Sequence, residues 1–327
     1  MKNSLDELIG KYRALGIDQQ LDYDRFYLYS LITHSTAIEG STITELENQI
    51  MFDNGIALKG KSLIEQNMNL DLKAAYERTL EFARDHADVT VERLKELSAL
   101  TMKNTGTVYH TVLGDFSSAE GDLRLLNVTA GIGGRSYMSF NKVPARLADF
   151  CKALNAQRRA AGKMTMQQLY NMSFDAHFNL VTIHPWADGN GRMARLLMNW
   201  LQFEYGLITT RIFADDKEEY IKALVETRES ENLEIFRKFM TETMKRHLAN
   251  DIEAFEKSIG EMPESVGTDD RIISLLKENP RHSARTLAEI IGISAKGVEK
   301  CLSKLKSQGI IRRVGPNKGG TWEIVGD

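Results

Sequence analysis

The chain has 327 residues, 42% of them hydrophobic and 27% charged, which suits a globular protein with two or three domains. No stretch approaches the roughly 18 apolar residues a membrane span needs, Met1 to Gly10 lacks the apolar core of a signal peptide, and neither zinc-type ligand spacing nor a P-loop is present. Cys151 and Cys301 fall in segments that read as helices of separate domains, so no disulfide and a reducing, cytoplasmic setting are expected.

Residues 1–90 are mostly helical in pattern. Phe26, Tyr29, Ile32, Thr33 and Ala37 recur at near-helical spacing and Gly40 suits the position after a helix end, so a helix is expected to stop at Glu39. A carboxylate in that last turn opposes the helix dipole by roughly 0.3–1 kcal/mol and is comfortable only beside a cation. Thr44 and Glu47 read as a capping box opening the next helix. Further on, Gly121-Asp122-Leu123-Arg124 and Gly133 to Phe140 hold glycines and short alternating runs suited to a β-hairpin, and residues 146–250 return to a helical pattern.

Residues 184–195 concentrate the chemistry: His-Pro-Trp-Ala-Asp-Gly-Asn-Gly-Arg-Met-Ala-Arg. The apolar run after it is helical in spacing, so Gly189 to Arg192 are expected to form a loop entering a helix N-terminus, where backbone N–H groups attract anions. His184, next to a proline, can take a proton from a hydroxyl near neutral pH. Asp188 can hold magnesium, which binds through one or two carboxylates plus substrate phosphates. Asn190 can hydrogen-bond phosphate oxygens, and Arg192 and Arg195, three apart, can neutralise a polyphosphate. Each piece alone is ordinary turn or capped-helix material. Together they specify a phosphate-handling site.

Ser258 to Asp270 reads as a linker with Gly260, Pro263 and Gly267. Residues 271–327 hold 11 Lys/Arg against 5 Asp/Glu, a net of +6, which leaves the rest of the chain at −9. Apolar positions mark one helix before Pro280, a second closed by Gly292 and a third closed by Gly309. Two strands, 310–314 and 321–325, then flank Gly315 to Gly320. Three helices and a hairpin resemble a winged helix. Lys296, Lys300, Lys304, Arg312, Arg313 and Lys318 can contact DNA phosphates or a protein partner, and charge patterning does not choose between them.

The 184–195 segment resembles the signature of the Fic family, H-x-F-x-D/E-G-N-G-R-x-x-R, with Trp186 in place of phenylalanine. Gly191 separates it from the kinase-like Doc branch, which has lysine there. The resemblance covers roughly residues 22–325 and implies a mainly α fold: a Fic-type helical core with a small β-hairpin flap, plus the C-terminal winged helix. It divides the chain into an N-terminal helical region, 1–90, a catalytic core, 91–257, the linker, 258–270, and the winged helix, 271–327. The activity implied is transfer of AMP from ATP to a hydroxyl side chain of a target protein. His184 would be the general base, Asp188 the Mg2+ ligand, Gly189 to Gly191 the anion cradle, and Arg192 and Arg195 the partners of the outer phosphates. Tyr220 falls at an adenosine-side position, with a core role open to it as well.

Ser35 to Gly40 resembles the family's inhibitory motif, S/T-x-x-x-E-G/N, which implies that Glu39 pairs with Arg195 and restrains the enzyme. The flap, led by Gly121 and Arg124, would hold a target segment by strand addition. Partners implied are a protein bearing a Tyr, Ser or Thr hydroxyl, the chain itself as target, and a second copy. Alternatives within the same signature are removal of AMP, use of another nucleotide such as UTP or CDP-choline, and a nucleotide-sensing DNA-binding regulator.

Overall fold

The computed structural model describes residues 4–129, 136–260, 268–315 and 320–325. The chain divides into two compact units, Met1–Ile252 and Glu253–Asp327. Gly133, Gly134, Arg135 and Lys318, and most of the expected linker, lie outside the described residues. Among the described residues, no helix is long and apolar enough to cross a membrane.

The first unit is built from helices α1 (Leu5–Ala14), α2 (Tyr23–Ile38), α3 (Glu45–Asn54), α4 (Leu63–Arg84) and α5 (Val91–Met102), then strands β1 (Val108–Thr111) and β2 (Gly114–Ser117). Helices α6 (Val143–Arg159), α7 (Met166–Ile183), α8 (Asn190–Glu204), α9 (Lys217–Ser230) and α10 (Leu233–Gly260) follow. Local sequence starts several of them. Ser4/Glu7, Thr44/Glu47, Ser62/Glu65 and Thr165/Gln168 each form a reciprocal capping box, at α1, α3, α4 and α7 respectively. Helix α2 stops at Glu39 because Gly40 takes φ +103°. The Gly40 N–H then bonds Ala37 O and the Ser41 N–H bonds Thr36 O, so the last carbonyls are satisfied.

Helix α8 is the axis of this unit. Arg192 through Gln202 are all buried, and α8 packs against α7, α4 and α5. Leu72, Tyr76, Leu94, Leu97, Leu180, Trp186, Leu196, Leu197 and Trp200 close the core around it. A helix buried on every side is held rigidly, so the groups at its N-terminus have fixed positions.

A hairpin not expected from the sequence precedes the 121–140 segment: β1 pairs with β2 in the register Tyr109↔Phe116, at 108–117. Its two-residue turn, Val112-Leu113, lacks the Asn-Gly or Asp-Gly signal that would have announced it. The Thr111 hydroxyl stabilises the turn instead, accepting from the Leu113 N–H and donating to Gly114 O. Among the described residues of 121–140, an antiparallel bridge joins Thr129 and Ser136 and the Tyr137 N–H bonds Val128 O, in keeping with the expected hairpin, whose tip lies outside the described residues.

The second unit has α11 (Thr268–Glu278), α12 (Ala284–Ile291), α13 (Ala295–Ser307) and the antiparallel pair β3 (Ile311–Val314) and β4 (Thr321–Ile324). Ile272, Leu276, Leu287, Val298, Leu302, Leu305 and Ile311 form its core. Half of the cations expected to be available are engaged internally. Lys304 pairs with Asp269 at 2.6 Å and Arg312 with Glu323 at 2.7 Å, while Arg313 lies 4.7 Å over the Trp322 ring. Lys296 and Lys300 are exposed on α13.

Candidate active site

Helix α7 ends on His184, whose backbone is left-handed at φ +52° and ψ +63°. A non-glycine residue there is strained and persists only where its surroundings hold it. The holder is Arg124, which is 1% exposed. Its Nε donates to His184 O at 2.8 Å, Nη1 to Leu126 O at 2.8 Å, Nη2 to Met138 O at 2.6 Å, and its backbone N–H to Pro185 O at 3.0 Å. The imidazole Nδ1 faces Val181 O at 3.2 Å, so this nitrogen carries the proton and Nε2 is left as the acceptor. Tyr137 stacks on the ring at 3.8 Å, and Arg228 lies 5.3 Å over the Tyr137 ring. Burial, assisted by the charges of Arg124 and Arg228, lowers the His184 pKa to about 4.

The segment 185–190 is stapled shut. The Asn190 side chain accepts from the Trp186 N–H at 3.1 Å and donates to Trp186 O at 2.9 Å, and the Trp186 indole donates to Gly121 O at 3.1 Å. Asn190 was expected to bond phosphate oxygens with its side chain. Its oxygen and one of its two N–H donors serve the loop, because Trp186 is fully buried and its backbone groups need partners.

Helix α8 begins at Asn190, earlier than expected, so Asn190 to Arg192 form its first turn rather than a loop. Gly189 is the N-cap at φ +80° and provides no side-chain cap. The first N–H groups of the helix therefore remain open to an anion. A Cβ at Gly189 would lie 2.9 Å from Met102 Sδ, and one at Gly191 would lie 2.8 Å from Glu39 Oε1. Gly189 needs glycine for its left-handed backbone, while a Cβ at Gly191 would press on the flexible ends of Glu39 and Arg195.

Arg192 and Arg195 are each nearly buried, at 4% and 3% exposure, yet their partners differ. Arg192 has a sulfur contact to Met102 at 3.0 Å, a long one to Thr101 O at 3.5 Å and Asp188 at 3.8 Å, and its Nε has no partner. A buried cation so poorly satisfied suits an incoming anion. Arg195 is well held by the C-terminal end of α2. Its Nε donates to Ser35 Oγ at 2.8 Å, and Nη2 donates to Ser35 O at 3.0 Å and Glu39 Oε1 at 2.6 Å. Burial alone would push the Glu39 carboxyl up, but Arg195, with Arg192 and Lys217, outweighs burial and leaves it below the ordinary glutamate value.

Asp188 is the exposed member, with 59% of its side chain accessible, and one of its oxygens accepts the Gly189 N–H at 2.6 Å. Among the described residues, no three His, Cys, Asp or Glu side chains cluster as a metal cage. A single accessible carboxylate beside an anion cradle fits magnesium, which completes its shell with phosphates and water. Of the two roles open to Tyr220, adenosine side or core, its setting here is the core one: it is 2% exposed, with its hydroxyl 3.0 Å from His177 Nε2. It stands among apolar rings on α10 rather than on an open wall, since Phe236 and Phe239 flank it.

The sequence placed Ser35 in the motif without a contact to Arg195, and did not single out Arg124 as a clamp, nor Tyr137 and His177. A signal existed for Ser35: it lies four residues before Glu39, on the same helix face, so both can reach one arginine. For the others, partners come from distant segments.

Neutral His177 and His184 make stability depend on pH. Burial also lowers the His177 pKa, to about 3. Both groups bind protons more weakly when folded than the ordinary value of 6.5, so the unfolded chain gains protons first on acidification. Their contribution is complete above pH 6.5 and fades as pH falls toward 4. A melting temperature that drops between pH 7 and 4.5, less steeply in His184→Asn, is expected; identical slopes would contradict it.

Comparison with known proteins agrees with this geometry. Residues 88–202 match the Fic/DOC family model, and residues 267–312 match a winged helix-turn-helix DNA-binding model. Protein adenylyltransferase fic-1 of Caenorhabditis briggsae is 28% identical over 249 residues, 75% of this chain and 43% of that protein. Protein adenylyltransferase Fic of Nematostella vectensis is 30% identical over 196 residues, 59% and 42% of the two chains. This chain thus spans less than half the length of these curated relatives. Among solved structures, a Fic domain-containing signaling protein from Bacteroides thetaiotaomicron superposes with TM-score 0.64 at 21% identity, covering 78% of this chain and 97% of that one. A Fic family protein from Desulfovibrio desulfuricans superposes with TM-score 0.60 at 20% identity, covering 99% and 94%. The chain thus contains a Fic/DOC family domain at residues 88–202, on a helical core of the same fold as these structures, and a winged helix-turn-helix domain at its C-terminus.

Proposed function

We propose that the chain is a self-restrained protein adenylyltransferase, moving AMP from ATP to a hydroxyl side chain of a target protein while its own Glu39 holds that activity down. The observation that carries this reading is the Glu39–Arg195 pair, 2.6 Å apart and lying across Gly191 beside an uncapped helix N-terminus. A carboxylate at that place repels the outer phosphate that Arg195 would otherwise bind. The names of the relatives support the reaction class.

In this reading the open N–H groups of the first turn of α8 and the under-satisfied Arg192 seat the phosphates. Asp188 would hold magnesium, which when bound neutralises phosphate charge. His184 Nε2 takes the proton of the target hydroxyl, the hydroxyl oxygen forms a bond to the α-phosphorus, and the bond from that phosphorus to the departing pyrophosphate breaks. Tyr137 and Arg124 keep the imidazole in place meanwhile. Residues 1–90, 91–257, 258–270 and 271–327 are the inhibitory region, catalytic core, linker and winged helix of this scheme. The target is a Tyr, Ser or Thr hydroxyl, on another protein or on the chain itself. Self-association into a homodimer belongs to the same scheme. The winged helix would use Lys296 and Lys300 toward an acidic partner, DNA being the one its family match suggests. Free Cys151 and Cys301 suit a cytoplasmic setting.

Incubation with ATP labelled on the α-phosphate tests the restraint. Glu39→Gly is expected to raise covalent label, on the chain or on added lysate protein, at least ten-fold over the native chain. Equal labelling of the two would remove Glu39 from the scheme, and free AMP without labelled protein would favour hydrolysis.

A further inference from the structure

A carboxylate at the C-terminal end of a helix opposes the helix dipole. Glu39 sits there with 33% of its side chain accessible, while its partner Arg195 is buried. Its aim therefore depends on how α2 is rotated about its axis and on where the chain turns after Gly40. One amide on α4 bears on both.

Asn69 is fully buried and uses all four of its hydrogen-bonding positions. One N–H goes to Glu65 O at 2.9 Å and the other to Ser41 Oγ at 3.1 Å, while Oδ1 accepts from Thr36 Oγ1 at 2.8 Å and from Asn48 Nδ2 at 2.9 Å. The single Thr36 proton has two carbonyls of its own helix within 3.1 Å, and Asn69 Oδ1 is the nearest acceptor. Because Glu65 O can only accept, the Asn69 amide has one orientation and its oxygen faces Asn48. The other Asn48 N–H goes to Thr33 Oγ1 at 2.7 Å, whose own proton goes to Tyr29 O at 2.8 Å. Asn48, Thr33, Thr36 and Ser41 are all buried with it.

These contacts bracket Glu39. Thr36 lies three residues before it and Ser41 two after, and Thr36 O receives the N–H groups of both Glu39 and Ser41, at 3.0 and 3.1 Å. Thr33 and Thr36, three apart, share one face of α2, whereas Ser35 and Glu39, four apart, meet Arg195. Directional bonds in a buried network fix one rotation of the helix, which an apolar seam leaves looser.

We propose that Asn69, assisted by Asn48, is a positioning residue for Glu39: a buried amide latch that sets the rotation of α2 and the turn after it, so that the carboxylate meets Arg195. The proposal rests on the reading above in taking Glu39 as the restraint. All four Asn69 bonds go to α2, α3, α4 or the link after α2, and none to α8. The latch thus acts on Glu39 and leaves the phosphate-binding end of α8 alone.

The test uses the full chain with Asn69→Leu and, separately, with Thr36→Val and Ser41→Ala together. The second pair cuts the latch from the α2 side and serves where Asn69→Leu does not fold. Each is made with native Glu39 and with Glu39→Gly, and incubated with magnesium and ATP labelled on the α-phosphate. With native Glu39, both changes are expected to raise covalent label roughly five-fold, since a loosened α2 leaves Arg195 unpaired in a larger fraction of molecules. In the Glu39→Gly chain nothing is left to aim, so label should stay within about two-fold. A fall in both backgrounds would make Asn69 an ordinary core residue and overturn the latch. A matching gain in both would overturn it too, as would unchanged label with native Glu39 when Glu39→Gly raises it. A nucleotide-free arm separates the latch from the functional reading. Amide hydrogen exchange at residues 39–41 is expected to run roughly ten-fold faster in either variant, with α8 unchanged. Unchanged exchange would sink the latch. Faster exchange, with no label gained even by Glu39→Gly, would keep the latch and reject Glu39 as the restraint.

Discussion

His184→Ala, introduced into a Glu39→Gly chain, is expected to lower AMP transfer by about two to four orders of magnitude, the usual contribution of a positioned general base, with little change in ATP affinity. The reason lies in how the imidazole is held. Its Nδ1 faces Val181 O, its backbone carbonyl is gripped by Arg124, and one ring face is covered by Tyr137, so Nε2 is the nitrogen left to accept a proton. With a pKa near 4 the ring is neutral at physiological pH and ready as an acceptor, though weaker than an ordinary histidine. The acid limb of kcat/KM, which reports the free enzyme, should therefore fall well below pH 6.5. Bound nucleotide brings negative charge beside the ring and raises its pKa, so the acid limb of kcat should lie at higher pH than that of kcat/KM. Rate retention above a tenth in the alanine variant would remove His184 as the base, and an acid limb of kcat/KM at pH 6.5 would contradict its buried setting.

Arg124→Ala is expected to destabilise the first unit by about 3–5 kcal/mol, since three part-buried carbonyls lose their donor at about 1–3 kcal/mol each and neighbouring groups relax only in part. Leu126, Met138 and His184 lie in segments far apart in sequence, and this one guanidinium joins them. Its loss should also free His184 from the left-handed conformation and lower transfer even at temperatures where the variant is folded. Arg124→Lys keeps a charge but cannot reach three carbonyls with a planar fork, so it should recover only part of the stability. Urea denaturation followed by tryptophan fluorescence measures the effect, because Trp186 and Trp200 are both buried in this unit. A loss under about 1 kcal/mol would mean that water replaces the guanidinium cheaply and that the clamp is not structural.

Much of the local structure followed from short-range rules. The end of α2 at Glu39 needed only Gly40, the start of α3 only Thr44 and Glu47, and the second unit only its apolar spacing with Gly292 and Gly309. Capping and helical periodicity act within four residues, so the information is contiguous. The same holds for the signature, where residues 184–195 carry a histidine, a carboxylate, glycines and arginines in one stretch. The missed hairpin at 108–117 shows the limit, because its turn is stabilised by a threonine hydroxyl rather than by a recognised turn pair.

The order of residues alone thus determined the helical class and the C-terminal module and singled out 184–195 as the candidate for phosphate chemistry, because those depend on neighbours a few positions apart. Tertiary structure alone decided how each side chain is used. It turned the Asn190 amide inward onto Trp186, buried Tyr220 against His177, made Arg124 a clamp and engaged Lys304 and Arg312 with acids. A polar side chain serves whichever partner the fold brings within about 3 Å, and those partners came from 11 to 65 residues away in every case but the Asn190 loop and the Arg124–Leu126 bond, a separation that no periodicity encodes.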